Sequence, residues 1–554
     1  MRGINIMMLS NYLRVLFVLL FLSFSHLAIA QVNPTFQNPI LKGFYPDPSI
    51  CRVGDDYYMV TSSFEYFPGV PIFHSKDLVN WQQIGHVLNR SSQLNLAGIH
   101  PSGGIFAPTI RYHKGTFYMI TTLITNRNNT GVNFYVTAKS PSGPWSEPYL
   151  LKDAPGIDPS LFFDDDGKVY YTGNRTPDDK PAGSKYRQIW IQELDTLKKQ
   201  LVGEVTVAIE EGALHGSIVA ESPHMYKKDG FYYIMIAEGG TGIDHAVTIF
   251  RSKNILGPYE INKKNPIITH RNLGKEYPIA CVGHADFVET QYGEWWMVLL
   301  GVRTYGGFHY NLGRETFLTP IAWENDWPIV NPGVGKIQFE ERRPNLPVFT
   351  AKKENTFDDF NTDTLQYYWN FLRTPNSNFW SLKDKKGYLS LQLRPNTLVD
   401  LENPSFIGRR QQDTSFFAET KMVFEPANKN ESAGLVVMMN NNFHFRVEKI
   451  LENDVTYIQL TRRHAGKEDV IGKSSVLKDE EIVIGVKAMG QNYSFYYVQN
   501  NKTVFLTQNI DGRTLSRVNT GGFTGTYIGL YSSSNGFNSK NKAYFDWLNY
   551  QQIK

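Results

Sequence analysis

The chain has 554 residues, more than one hydrophobic core supports, so two domains are the starting expectation. Hydrophobic residues make up 41% and charged residues 20%, with a formal net charge of +3, which excludes the electrostatic footprint of a nucleic-acid or anionic-membrane binder. Aromatics reach 14%; they favour strands and also stack on sugar rings, while the two cysteines, Cys51 and Cys281, are too few for a disulfide framework and form no metal-ligand cluster.

Residues 1–30 read as a signal peptide. Arg2 and Arg14 are the only formal charges, an apolar run covers residues 15–22, and Ala28 and Ala30 suit cleavage before Gln31. The run is too short to span a membrane, no later segment looks like a span, and no Cys sits at the cut for a lipid anchor. Export to the periplasm or the medium is expected. Losing Arg2 and Arg14 lowers the formal charge of +3 by two, to +1, which suits a neutral substrate such as sugar.

Residues 31–335 carry an internal repeat. A Gly turn precedes an aromatic-rich strand five times: Gly54-Asp-Asp-Tyr-Tyr-Met-Val, Gly115-Thr-Phe-Tyr-Met-Ile, Gly167-Lys-Val-Tyr-Tyr, Gly230-Phe-Tyr-Tyr-Ile-Met and Gly293-Glu-Trp-Trp-Met-Val. A second aromatic anchor follows four of the five turns, at Trp81, Trp145, Tyr259 and Trp323. Five strand-rich units bounded by Gly, Pro, Asn and Asp predict a five-bladed β-propeller, each blade a small antiparallel sheet.

Upstream of each turn glycine the innermost strand should begin. Asp47, Ala107, Asp158, Glu221 and His284 stand seven to nine residues before their glycines. Four of the five blades therefore bring an ionisable residue to one mouth of the central channel. One such carboxylate would be ordinary; a ring of Asp, Asp, Glu and His converging on one pocket points to a functional site.

Pro328, Pro332, Pro344 and Pro347 mark a change of pattern, with a linker expected over 336–354. From 355 to 554 the repeat is gone. Runs such as Gly387-Tyr-Leu-Ser-Leu-Gln-Leu and Gly434-Leu-Val-Val-Met-Met predict a β-sandwich of the jelly-roll, concanavalin-like kind. It carries no catalytic constellation, so a stabilising or docking role is expected, with glycan binding as the alternative.

Glycoside cleavage needs two carboxyls in opposite protonation states, and a third nearby can raise the acid's pKa. Three carboxyls on separate blades meet that need. Asp47 on blade 1 and Glu221 on blade 4 should face each other across the pocket, which favours the wide inverting arrangement, with carboxyls roughly 6.5–9.5 Å apart to admit a water.

Gly43-Phe-Tyr-Pro-Asp-Pro-Ser49, Gly156-Ile-Asp-Pro-Ser160, Glu221-Ser-Pro-His224, Ala237-Glu-Gly-Gly240 and Gly313-Arg-Glu-Thr316 together resemble glycoside hydrolase family 43, in particular its two-domain β-xylosidase and α-L-arabinofuranosidase members. The resemblance implies Asp47 as general base, Glu221 as general acid and Asp158 as the residue that tunes and orients the acid. It implies Arg314 as a substrate-binding arginine, Phe64 as an apolar wall of the sugar subsite, and Phe106 at a position where Trp is frequent. Ser222 stands where Gly is commoner, so the backbone beside Glu221 is expected to differ. His284 resembles the family's axial histidine, where some members hold hydrated calcium; one neutral imidazole is a poor calcium ligand, so no cofactor is expected to be required, with calcium at the propeller axis as the alternative. Phe523, in Gly522-Phe-Thr-Gly-Thr526, resembles a sandwich loop that closes the pocket. The implied activity is exo-hydrolysis releasing xylose or arabinofuranose from plant cell-wall polysaccharide or oligosaccharide. Two rivals stay open: a fructan-cleaving propeller hydrolase, whose Asn-Asp-Pro-Asn-like start Tyr45-Pro-Asp-Pro-Ser49 does not match, and a non-catalytic carbohydrate-binding protein.

Overall fold

The structure is a computed structural model that describes residues 34–126, 131–181, 184–216, 218–352, 354–476 and 481–553. The expected signal peptide over 1–30 lies outside the described residues. Among the described residues, apart from a 3-10 turn at Gly512–Leu515 and one short helix, Arg517–Thr520, the regular elements are strands, and no helix is long and apolar enough to cross a membrane.

Five antiparallel sheets follow one another as propeller blades. Their innermost strands are Ser49–Val53, Thr109–His113, Ser160–Phe163, Glu221–Lys228 and Ile279–Glu289. Each turns at its repeat glycine into an aromatic strand: Asp56–Val60, Thr116–Ile124, Val169–Arg175, Phe231–Glu238 and Trp295–Arg303. These second strands sit between neighbouring blades, buried on both faces, which is why they read as near-continuous apolar runs. Three of the repeat's aromatic anchors close the polar turns before them: Trp81 Nε1 donates to Leu78 O (2.8 Å), Trp145 Nε1 to Pro141 O (3.2 Å) and Tyr259 Oη to Ile255 O (2.7 Å). The anchor thus buys a satisfied turn carbonyl as well as buried surface.

The propeller is closed by its N-terminal segment on blade 5. Asn38 exchanges hydrogen bonds with the Leu318 backbone at 2.9 Å in both directions, and Ile40 N donates to Thr316 O. Thr35–Gln37 pairs with Glu340–Arg342. The stretch expected to be a linker is therefore partly sheet: its Pro punctuation marks edge-strand and turn positions rather than free chain. Ile337 is buried in the core of blades 4 and 5, with Ile337 N donating to His270 Nε2 (3.0 Å) and Tyr277 Oη to Ile337 O (2.7 Å).

The C-terminal region is a sandwich of two eight-stranded sheets. Ser415–Val423 alternates buried and half-buried residues strictly, as a strand with one face on a core must. One sheet runs on into the propeller: Tyr66–Phe67, a blade 1 excursion, pairs with Asn370–Leu372 and becomes its edge strand. One contiguous apolar cluster joins Val60, Val70, Ile105 and Phe117 of the propeller to Phe371, Leu391, Val437 and Leu548 of the sandwich. A shared core of this kind holds two domains in one fixed relation, unlike the smaller polar contacts of domains that move.

Candidate active site at the propeller axis

The inner strands begin with a repeated backbone device. Asp47, Asp158, Ser222 and His284 all hold a positive φ, of 54°, 54°, 56° and 46°, a region that non-glycine residues seldom occupy and that marks functional sites. Three of them precede a proline, as does Ala107 of blade 2. On these four blades the kink turns one side chain towards the axis before the strand sets off. Within this frame the true counterpart of Asp47 on blade 4 is Ser222, and Glu221 stands one residue earlier, at a break in the register of its hairpin between Glu221 and His224. Counting from the turn glycine hid this one-residue offset. Ser222 adopts the left-handed geometry that glycine would adopt freely.

All three carboxylates are buried, with Asp47 3%, Asp158 7% and Glu221 8% exposed. Asp47 is clamped: Arg314 Nη1 donates to Oδ1 at 2.5 Å and Nη2 to Oδ2 at 3.3 Å, Ser62 Oγ donates to Oδ2 at 2.6 Å, and His284 Nδ1 lies 3.7 Å from Oδ1. Burial alone would raise its pKa. The Arg314 guanidinium, then His284 and the Ser62 hydroxyl, outweigh burial and hold it below the usual carboxylate range. Glu221 is pushed the other way, up to about 7, by burial and then by the Asp47 charge, with Arg314 and Arg187 pulling it partly back. Burial, Glu221 and Asp47 raise Asp158 well above its ordinary value. Asp158 and Glu221 thus titrate as a pair that keeps a proton into the neutral range, while Asp47 stays ionised.

Asp158 is positioned by close backbone approach. Gly156, at φ 87°, lies against Asn174, and a Cβ there would come within 1.6 Å of the Asn174 carbonyl oxygen, so only glycine fits. Thr109 Oγ1 of blade 2 donates to Pro159 O (2.9 Å), tying the Asp158 turn to its neighbour. Arg314 is held from behind by the sandwich: Thr526 N donates to Asn311 O at 2.8 Å, and Gly525 presses on Leu312, where a Cβ would sit 2.4 Å from the carbonyl oxygen.

The walls are aromatic. Phe64 lies 5.2 Å from Phe106 and 5.8 Å from Phe44, ring centre to ring centre, and stacks on Phe523 at 5.8 Å with 27° between planes. Phe523 crosses from the sandwich, its backbone N donating to Ser102 Oγ at 2.8 Å. The Arg314 guanidinium stands 5.6 Å from Phe64 and 5.7 Å from Phe523. Every residue named from the sequence, Asp47, Asp158, Glu221, His284, Arg314, Phe64, Phe106 and Phe523, therefore lies in one constellation around the axis or in the aromatic wall beside it.

Sequence reasoning missed His245 and the tier below the ring. His245 is buried, its Nδ1 sits 3.1 Å from Cys281 O, and burial lowers its pKa to about 3. Its Nε2, Arg314 Nε and Ser222 Oγ are buried polar atoms without a partner among the described residues, an arrangement that a polyhydroxylated ligand would satisfy. Below the ring, Asp286 accepts from Ser49 Oγ (2.7 Å), Arg111 Nη1 (2.8 Å) and Tyr226 Oη (2.7 Å), while Arg111 Nη2 lies 3.0 Å and Ser160 Oγ 3.2 Å from His224 Nδ1. All five blades meet in this plug. Its only sequence signal is that each member follows the kink position by two or four residues.

Burial lowers the pKa of His284, with the Asp47 charge opposing. The donor set around it does not suit calcium: Asp47's oxygens are engaged by Arg314 and Ser62, and among the described residues no group of three or more His, Cys, Asp or Glu is placed to hold a metal ion. Cys51 and Cys281 are both free and buried, in different core clusters. Glu238, in the Ala237-Glu-Gly-Gly240 motif, is structural: it accepts from Ala213 N (2.7 Å), Leu214 N (3.2 Å) and Thr248 Oγ1 (2.5 Å).

Residues 36–328 match the family model described as glycosyl hydrolases family 43, and residues 357–551 match the beta xylosidase C-terminal concanavalin A-like domain. A xylosidase/arabinosidase of Butyrivibrio fibrisolvens is 46% identical over 93% of this chain and 99% of its own length. A non-reducing end alpha-L-arabinofuranosidase of Bacteroides ovatus is 40% identical over 98% of this chain and 99% of its own length. Among solved structures, a xylan beta-1,4-xylosidase from Bacillus halodurans superposes with a TM-score of 0.88 at 35% identity, covering 93% of this chain and all of the other.

Proposed function

The chain belongs to glycosyl hydrolases family 43 and is a glycoside hydrolase, and from that premise we propose that Asp47, Glu221 and Asp158 carry an inverting, exo-acting hydrolysis that releases a terminal β-D-xylopyranosyl or α-L-arabinofuranosyl unit from plant cell-wall glycans. One observation carries the assignment of roles: Asp47 and Glu221 lie in one buried ring with opposite protonation preferences, Asp47 held ionised by Arg314 and Glu221 held protonated to about pH 7.

The steps follow from those preferences. A terminal pentose sits against Phe64, Phe106 and Phe523, with Arg314 Nε, His245 Nε2 and Ser222 Oγ meeting its hydroxyls. Asp47 takes a proton from a water as that water attacks the anomeric carbon from one face. Glu221 delivers its proton to the departing glycosidic oxygen on the other face. The Asp158–Glu221 pair retains a proton into the neutral range, and after turnover Asp47 releases its proton to solvent while the pair takes one up, which resets Glu221. No cofactor enters. The leader over 1–30 suits export, so the substrate is met outside the cytoplasm.

The test is hydrolysis of p-nitrophenyl β-D-xylopyranoside and p-nitrophenyl α-L-arabinofuranoside by wild type and Glu221→Ala. Turnover of at least one substrate is expected, falling in the variant by about 10²–10⁴-fold, the usual worth of a general acid. The ratio of the two wild-type rates names the preferred sugar. A folded wild type that binds xylo-oligosaccharides yet cleaves neither substrate would favour the non-catalytic binding reading.

A further inference from the structure

Phe523 needs a reason to stay over the pocket. It lies on a short loop of the sandwich, Gly521 and Gly522 before it are exposed, and stacking on Phe64 together with one hydrogen bond to Ser102 is modest restraint. The neighbouring helix Arg517–Thr520 supplies the reason. Its N-cap Ser516 accepts from Tyr310 N (3.0 Å), which seats the helix on the propeller rim next to the Arg314 loop. From there Arg517 reaches in two directions. Its Nε donates to Gly522 O, the carbonyl just before Phe523, and its guanidinium lies 5.5 Å from the Phe523 ring. Its Nη1 donates to Thr241 O (3.0 Å) and its Nη2 to Thr241 Oγ1 (2.6 Å).

Thr241 belongs to the turn that leaves strand Phe231–Glu238 of blade 4, in which Ala237 is the register partner of Glu221. The same turn is tied to the chain before Glu221 by Gly239 N donating to Ile218 O (3.1 Å). One side chain thus connects the roof of the pocket, on the sandwich, with the hairpin that carries the proton donor, on the propeller. Three of its hydrogen bonds go to these two turns, and a planar fork with fixed donor directions fits two such partners better than a lysine would.

We propose that Arg517 is a positioning residue that sets the aperture of the sugar pocket by clasping the Phe523 loop to the Thr241 turn. The proposal rests on the ring being the site of pentoside hydrolysis. Arg517 touches no reacting atom in this scheme; it acts through Phe523 and Thr241. Loss of the clasp widens the roof and weakens the hold on the sugar, whereas Asp47, Asp158 and Glu221, which are fixed by the inner strands, keep their geometry.

The test is steady-state kinetics of wild type, Arg517→Ala, Arg517→Lys and Thr241→Val on whichever p-nitrophenyl pentoside the wild type turns over, with thermal melts as a fold control. Arg517→Ala should raise KM about ten-fold, the worth of one or two charge-assisted hydrogen bonds, with kcat changed less than about two-fold and the pH profile unmoved. Arg517→Lys should recover part of that KM, since an ammonium reaches one partner. The double variant Arg517→Ala/Thr241→Val should be no worse than Arg517→Ala alone, because the two changes break one link. A KM within two-fold of wild type in Arg517→Ala, or additive effects in the double variant, would overturn the clasp. A wild type that turns over neither pentoside would instead overturn the reading of the ring.

Discussion

The five inner strands carry two tiers of polar residues a few residues apart, and the tiers treat charge in opposite ways. In the lower tier Asp286 is saturated: Arg111, Ser49 and Tyr226 all donate to it, and with burial opposing and Arg111 favouring ionisation its pKa falls to about 2. In the upper tier Asp47 is clamped by Arg314 and Ser62. Asp158 and Glu221 sit buried beside like charge, and Ser222, His245 and Arg314 keep polar atoms without protein partners. A saturated network is a structural fastening, while an unsatisfied one at the same depth is held ready for a ligand and a proton.

Breaking the lower tier should be the costlier change for folding. Asp286→Ala leaves half-buried Arg111 without its fully buried charge partner, so unfolding stability should drop by about 3–5 kcal/mol, read from denaturant melts. An equal loss in Glu221→Ala would erase the distinction between the tiers, because removing a carboxyl buried beside like charge should leave stability unchanged or improved.

Arg314 is the one group that fastens and functions. Arg314→Gln removes the charge that opposes burial at Asp47, so the carboxyl pKa should rise. Wild-type kcat/KM should hold down to a pH below the ordinary Asp value and fall only as Asp47 protonates. In the variant that acid limb should move towards neutrality, with the plateau lower by about 10²-fold. An unmoved acid limb would take the base role from Asp47.

The smallest expected effect sharpens the upper tier itself. Wild-type activity should fall as pH rises through about 7, where Glu221 gives up its proton. Asp158→Asn removes a neighbouring carboxylate, so the alkaline limb should shift to lower pH by up to about one unit. A limb that stays in place would leave Asp158 an orienting role alone.

Much of the fold was legible because the repeat is physical. Each blade needs a Gly turn and an aromatic strand buried on both faces, so the five motifs mark five sheets, and the ring follows from where inner strands begin. The offset between Glu221 and Ser222 was not legible, since a break in hairpin register changes no residue type. Arg314 lies outside the repeat's kink positions, and only resemblance singled it out. Phe523 sits more than three hundred residues from Glu221 in the chain and was likewise singled out by resemblance alone, and Arg517, nearly as far, has no local feature that tells of a pocket.

What the sequence by itself determined is the set of elements: strand periodicity, turn chemistry and the carboxylates at strand starts are local, and local sterics and burial enforce them. Tertiary structure alone decided which polar groups go unsatisfied and which are paired. It placed Arg314 on Asp47, Arg111 on Asp286 and Arg517 between Thr241 and Gly522. A pKa is set by burial and by charges brought near from distant parts of the chain, so base and acid could be distinguished by environment only once the blades had closed and the sandwich had docked on them.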